Sequence, residues 1–357
     1  MGGSFLIGEI IEVKSLSKDF TEEFISRLLE NFQVIAPVRR DGRIFYERIA
    51  EPHEIELEYT GKSQLPPKRF FFPEKEVLFT YEVTAEGVLI YDKSEELEGL
   101  KRIFMGIRPC DIYSLKILDK IFFGKFHDPY YGLRRKNTLI VGLTCNEALE
   151  YCFCAYMGSG PSIENGFDLL LTDLGDHYLV EIGSDRGRKL VYHNIDLFRS
   201  ASIEDIKEKK RMLSRVESDI KREPFPSLNK LYEALLRNFK ADMWNEYGES
   251  CLACGKCNFV CPTCVCFDVY DDPNLDLKSG KRVRVWDSCH FISFTRVAGG
   301  LVFRKDRPSR VKQRVYHKYC YSVDEIGMFS CVGCGRCIET CPVNINIMEI
   351  AREVVSL

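Results

Sequence analysis

The 357-residue sequence has no G-x-G-x-x-G after a strand-like stretch; Gly158-Ser159-Gly160 is a lone G-x-G in a polar loop. It also has no P-loop, no Ser/His/Asp arrangement and no H-E-x-x-H. These absences exclude the familiar nucleotide-binding, hydrolytic and zinc-protease sites. The six histidines are scattered and read as structural residues rather than ligands. No apolar run approaches the roughly 20 residues that span a bilayer, so no membrane is expected. The stretch Met1–Ile10 has neither a charged n-region nor a long h-region, so export is not expected and the setting reads as cytoplasmic. A net charge of −3 gives no footing for nucleic acid. The one basic run, residues 304–314, carries no aromatic platform for bases.

Cysteine, by contrast, is abundant. Sixteen thiols in a chain not expected to be exported point to thiolate ligands in a reducing compartment. Two runs organise them: Cys251-x2-Cys254-x2-Cys257-x3-Cys261-Pro262 and Cys331-x2-Cys334-x2-Cys337-x3-Cys341-Pro342. Both have the bacterial ferredoxin spacing for a [4Fe–4S] cluster. The x2 spacing lets three thiolates wrap one cube while backbone N–H groups face its sulfides. In chains with two such runs the fourth cysteine serves the other cluster. The expected ligand sets are therefore Cys251, Cys254, Cys257 and Cys341 for one cluster, and Cys331, Cys334, Cys337 and Cys261 for the second. Paired C-x2-C units also build structural zinc sites, so a zinc-stabilised scaffold is the competing reading from another class. A zinc site, however, uses two separated pairs, whereas each run here has three close thiols and a fourth before proline. A disulfide framework suits a short secreted chain, which this is not.

Residues 100–195 read as an α/β core. Arg102–Ile107 and Thr138–Leu143 are short apolar strands, with a helical pattern over Ile112–Phe122 between them. Two such strands pair in parallel across a helical crossover. That places Cys110 and Cys145 at the carboxyl edge of the sheet, where open α/β sheets hold ligands. Cys152 and Cys154 follow within a loop's reach. Cys110, Cys145, Cys152 and Cys154 are thus a candidate third cluster site, with buried free cysteines as the alternative. Cys264, Cys266 and Cys289 are a weaker set, read as structural, and Cys320 has no evident partner.

Elsewhere, Phe24, Ile25, Leu28, Leu29 and Phe32 recur at helical spacing behind Thr21 as a cap. Val34–Arg39 and Arg43–Arg48 flank a hairpin turn at Asp41-Gly42. Leu65–Pro73, with three consecutive phenylalanines, reads as a buried connector, or else as a docking surface. Asp168–Leu171, His177–Ile182 and Lys189–Tyr192 read as an antiparallel meander. Two amphipathic helices follow, capped by Ser202 and Ser227, the second running through Phe239. The insert between the cysteine runs is expected to be helical near the clusters, and Ile347–Val355 is a closing helix. Residues 304–314 read as a solvated face, with two functional alternatives: raising a cluster's potential or steering an acidic partner. The expected fold class is α+β. An N-terminal α/β domain spans residues 1–245, and a mainly helical, expanded dicluster ferredoxin-like domain spans residues 246–357.

Two clusters with no substrate centre beside them argue for an electron-transfer subunit whose chemistry lies on partner chains. A nickel–iron centre is not expected here, since no pair of C-x-x-C runs lies near both termini. The motifs Cys251-Leu-Ala-Cys254-Gly-Lys-Cys257, Cys261-Pro-Thr-Cys264-Val-Cys266, Trp286-Asp-Ser-Cys289 and Cys331-Val-Gly-Cys334-Gly-Arg-Cys337 resemble the β subunits of cytosolic nickel–iron sulfhydrogenases of hyperthermophilic archaea. The N-terminal half resembles them too, through Leu65-Pro-Pro-Lys-Arg-Phe-Phe-Phe72, Cys110–Asp119 and Tyr151-Cys-Phe-Cys154. The A subunit of anaerobic sulfite reductases is similar in the same places, and it, or the equivalent subunit of another NAD(P)H-linked complex, is the alternative assignment. The resemblance implies a heterotetramer. A flavin-binding γ-type subunit would handle NAD(P)H, and large and small hydrogenase subunits would carry the nickel–iron site. This chain would relay electrons between the flavoprotein and the small subunit, with sulfur or polysulfide reduction a property of the assembly.

Overall fold

The structure, a computed structural model, describes residues 12–357. Met1–Ile10, on which the expectation of no export signal rests, lies outside the described residues. In chain order the first half gives β1 (Val13–Ser17), α1 (Thr21–Asn31), β2 (Gln33–Arg40), β3 (Arg43–Arg48), β4 (Lys75–Thr84), β5 (Gly87–Asp92), β6 (Arg102–Ile107), α2 (Pro109–Phe122), α3 (Pro129–Lys136), β7 (Thr138–Leu143), β8 (Leu169–Asp173), β9 (His177–Ile182), α4 (Asp185–His193) and β10 (Phe198–Ser200). The rest gives α5 (Ile203–Ile220), α6 (Leu228–Arg237), α7 (Met243–Ser250), α8 (Lys256–Phe259), β11 (Phe267–Pro273), β12 (Ser279–Trp286), α9 (Arg307–Tyr316), α10 (Ser322–Ile326), α11 (Arg336–Glu339) and α12 (Ile347–Ser356).

An eight-stranded sheet runs β10-β1-β9-β8-β7-β6-β2-β3. Its centre is parallel, as the βαβ reading expects: β6 pairs with β7, β7 with β8, and β2 with β6. The β2–β3 hairpin turns at Asp41 and Gly42, both at positive φ (47° and 74°), which suits this dipeptide. On one side α1 buries Phe24, Ile25 and Leu28 against the sheet. On the other, Ile112, Leu115 and Leu118 of α2 meet Phe104, Ile140 and Leu170.

One expected strand is a helix. Lys189–Tyr192 lies inside α4 rather than in a third meander strand. The Ser184 hydroxyl accepts the Gly187 N–H at 3.0 Å and caps the turn. Leu190 and Val191 then face the core. A side chain at Gly187 would stand 2.0 Å from the Asp168 carbonyl oxygen, so the helix can dock only with glycine there. The α6 helix stops at Arg237, short of Phe239, and Ser227 precedes it without a side-chain capping bond.

The insert differs from expectation as well. Short helices do border the cysteines, but β11 and β12 form a hairpin in a second sheet ordered β11-β12-β4-β5. The C-terminal part is therefore less helical than its cysteine runs suggest. β12 pairs antiparallel with β4, a strand of the N-terminal half. Arg284 of β12 is buried and binds both Glu76 and Asp128. The Trp286 indole donates to the Phe72 carbonyl at 3.0 Å. The phenylalanine run is the buried connector: Phe71 and Phe72 are fully buried, and Phe72 stacks on Trp286 with ring centroids 6.1 Å apart. Phe72→Ala is expected to destabilise the chain by about 3–5 kcal/mol, the range for emptying a buried aromatic position. An anaerobic thermal melt would show a lowered midpoint; an unchanged midpoint would deny Phe72 that packing role.

Candidate metal centres

The two ferredoxin-spaced runs fold alike. Cys251 follows α7, then Ala253 and Gly255 take positive φ (53° and 74°) and lead into α8, which carries Cys257. In the second run Gly333 and Gly335 (61° and 72°) lead into α11, which carries Cys337. This geometry turns backbone N–H groups toward sulfur. Ala253 N donates to Cys251 Sγ at 3.3 Å, Gly333 N to Cys331 Sγ at 3.4 Å and Ile345 N to Cys341 Sγ at 3.3 Å. Such bonds favour the thiolate over the thiol.

One cavity of about 50 Å³ is lined by Cys251, Cys254, Cys257 and Cys341, with Cys337, His290 and Arg314 beside them. A second, of about 20 Å³, is lined by Cys261, Cys331, Cys334 and Cys337, with Arg314 and Lys318. Each cavity thus gathers three thiols of one run and the last thiol of the other. The two sites adjoin, since Cys337 and Arg314 line both. A [4Fe–4S] cluster asks for four cysteine thiolates around a space, and both cavities meet that need. A single metal ion asks for tighter convergence. Among the described residues no three His, Cys, Asp or Glu side chains are gathered in that way.

Of the charges around these sites, Arg314 lies in the basic run of residues 304–314; Lys68 and Lys318 lie outside it. Lys68, Arg314 and Lys318 are all buried. Arg314 Nε donates to Asn258 Oδ1 at 3.0 Å, Lys318 Nζ to Thr263 Oγ1 at 2.8 Å, and Lys68 Nζ to the Cys264 carbonyl at 2.7 Å. None of these partners is a carboxylate. Buried cations without carboxylates are costly unless other anions face them. The thiol sets are those anions once deprotonated. Burial pushes the Cys257 and Cys331 thiols up to about 12 and the Lys68 ammonium down to about 8. The thiols therefore shed their protons when metal binds. Residues 304–314 are consequently more than a solvated face, because Arg310 and Arg314 on α9 point inward.

Cys110, Cys145, Cys152 and Cys154 line a single cavity of about 270 Å³ with Tyr59, Lys62 and Arg108. Cys110 sits in the first turn of α2, and Cys145 two residues beyond β7, at the carboxyl edge of the parallel strands. Cys264 and Cys289 gather instead on Asn258, whose amide donates to Cys289 Sγ at 3.1 Å. The Cys264 thiol approaches Asn258 Oδ1 at 3.7 Å. The neighbouring Cys289 thiol holds the Cys266 thiol below its ordinary range. Cys320 packs in an apolar cluster with Tyr316 and Tyr319, a structural position. Sequence reasoning missed Lys68, Asn258 and Lys318, while Arg314 falls within residues 304–314, for which charge beside a cluster is one alternative. Lys68 stands inside the Leu65–Pro73 connector, and only the connector's burial marks it as part of a site.

Comparison with known proteins decides the family. Residues 250–345 match the model of a 4Fe-4S dicluster domain. Over 342 residues, covering 95% of this chain and 97% of the other, the sequence is 37% identical to sulfhydrogenase 2 subunit beta of Pyrococcus furiosus. The chain belongs to the sulfhydrogenase beta-subunit family. Its mixed α/β fold carries a C-terminal 4Fe-4S dicluster domain, and [4Fe–4S] clusters are its cofactors. Among the described residues no helix is long and apolar enough to cross a membrane.

Proposed function

We propose that this sulfhydrogenase beta-type chain is the iron–sulfur relay of a multisubunit, NAD(P)H-linked nickel–iron hydrogenase and sulfur reductase in the cytoplasm. Cys251, Cys254, Cys257 and Cys341 hold one [4Fe–4S] cluster, and Cys331, Cys334, Cys337 and Cys261 the second. Residues 246–357 act as the dicluster domain and residues 1–245 as the α/β domain on which it is mounted. The observation that carries the reading is the crossed lining of two adjoining cavities. Bound clusters supply sites that take up and release single electrons. The chain's own residues bury those sites and set their charge. Gly333 and Gly335 allow the loops to close, and Arg314 and Lys318 place positive charge at the shared wall. The partners in this reading are a flavin-binding γ-type subunit on one side and the small and large hydrogenase subunits on the other.

Affinity purification of the tagged chain from its native cell, under anaerobic conditions, tests the assembly. Nickel and flavin are expected in the purified complex; siroheme in place of nickel would overturn it. A second test addresses Arg314. Positive charge beside a cluster favours the reduced, more negative form and so raises its potential. Arg314→Gln is expected to lower the potential of at least one cluster by roughly one tenfold step in a one-electron equilibrium, about 59 mV. A redox titration followed by electron paramagnetic resonance reads this directly. An upward or absent shift would remove Arg314 from the electrostatics of the relay.

A further inference from the structure

We infer that Cys110, Cys145, Cys152 and Cys154 hold a third [4Fe–4S] cluster, which carries the electron path out of the dicluster domain to the carboxyl edge of the large sheet. The four thiols come from three places in the chain: the start of α2, the residues just after β7 and the stretch 152–154. Free cysteines buried for packing would be surrounded by side chains, since protein interiors are close-packed. These four face a common space of about 270 Å³.

The charge at this site has the same character as at the two ferredoxin-type sites. Arg108 is buried, and its guanidinium donates only to carbonyl oxygens: Thr144 at 2.6 Å, Gly61 at 3.0 Å, and Tyr59. It lies over the Tyr59 ring at 3.8 Å from the centroid. Among the described residues no carboxylate pairs with it, so an anionic ligand set in the adjoining cavity balances it. Cys110 stands in the first turn of α2, a helix of 14 residues with Pro109 leading, at the positive end of the helix dipole, which favours an anionic ligand set.

The site also touches the second ferredoxin-type run. Phe153 N donates to the Gly333 carbonyl at 2.9 Å, and Ser159 Oγ to the Val332 carbonyl at 2.6 Å. The Cys152 thiol approaches the Cys334 carbonyl at 3.8 Å. A Cβ at Gly333 would stand 2.6 Å from the Cys154 nitrogen, so glycine is what permits this contact. Cys110, Cys154 and Cys334 share one buried cluster. The extension of the path rests on the relay proposed above; the ligand set does not.

The test is an iron, acid-labile sulfide and zinc count on the full chain purified anaerobically. About twelve iron per chain is expected, and about eight in Cys145→Ser, which should keep the two ferredoxin-type resonance signals. Cys320→Ser, outside every set, should keep all twelve. About eight iron in the unaltered chain would overturn the third site and leave the two-cluster relay standing. One zinc in addition to eight iron would overturn it too. A chain holding no iron would sink both readings. The count on the unaltered chain decides the matter even if the variants fold poorly.

Discussion

Cys341→Ser is expected to empty the site of Cys251, Cys254 and Cys257 and to spare the site of its own sequence neighbours. Cys341 stands four residues after Cys337, yet its thiol lines the cavity of the first run. The reason is local. The α11 turn ends at Glu339 and the chain then leaves through Pro342, carrying Cys341 away from Cys331 and Cys334. Ile345 N holds the Cys341 sulfur at 3.3 Å in that place. About four iron per chain should be lost. The reciprocal variant, Cys261→Ser, should empty the site of Cys331, Cys334 and Cys337 instead. Spectra identify the sites without prior assignment. Cys341→Ser should leave the same resonance signal as Cys254→Ser, and Cys261→Ser the same signal as Cys334→Ser. The opposite pairing, in which Cys341→Ser matches Cys334→Ser, would mean that each run serves its own cluster.

The parts legible in the sequence are those with local causes. Cluster runs are legible because thiol spacing and glycine turns act within a dozen residues. The β6–α2–β7 unit is legible because the period of the apolar residues changes twice, and its handedness rule then places Cys110 and Cys145 together. Where two periods fit one short segment, the pattern fails. Leu190-Val191-Tyr192 suits a strand as well as a helix, and the Ser184 cap decides it. The β4–β5 and β11–β12 hairpins are hidden for another reason. Within each hairpin the strands pair locally, but the β4–β12 pairing that joins the two into one sheet spans about two hundred residues, with Val283 opposite Val77 and Arg284 opposite Glu76. Nothing in either segment alone names the other. Buried cations are the least legible feature. A charge run reads as solvated until tertiary structure turns Arg314 inward toward the thiols.

A large expected loss of stability lies at one such buried charge. Arg336, between Cys334 and Cys337, is 3% exposed, and Asp111, next to Cys110, is 0% exposed. The guanidinium meets the carboxylate with both nitrogens, Nη1 to Oδ1 at 2.6 Å and Nη2 to Oδ2 at 2.7 Å. Its Nε donates to the Ser63 carbonyl at 2.8 Å. The pair thus clamps the second cysteine run onto the start of α2, at the join between the second and third thiol sets. Removing one partner leaves the other charge buried and alone, which costs about 3–5 kcal/mol. Arg336→Met is therefore expected to lower the anaerobic melting midpoint sharply, and Asp111→Leu to do the same. The double variant should be less damaged than the sum of the two, because apolar residues can replace a buried pair at small cost. A double variant that loses the full sum would show that the two side chains act independently. Iron content then separates two roles. A pair that only stabilises the fold leaves the count per folded chain unchanged. A pair that also holds Cys110 and Cys334 in register lowers it, and the double variant, which restores packing without restoring the bidentate bonds, should not recover it.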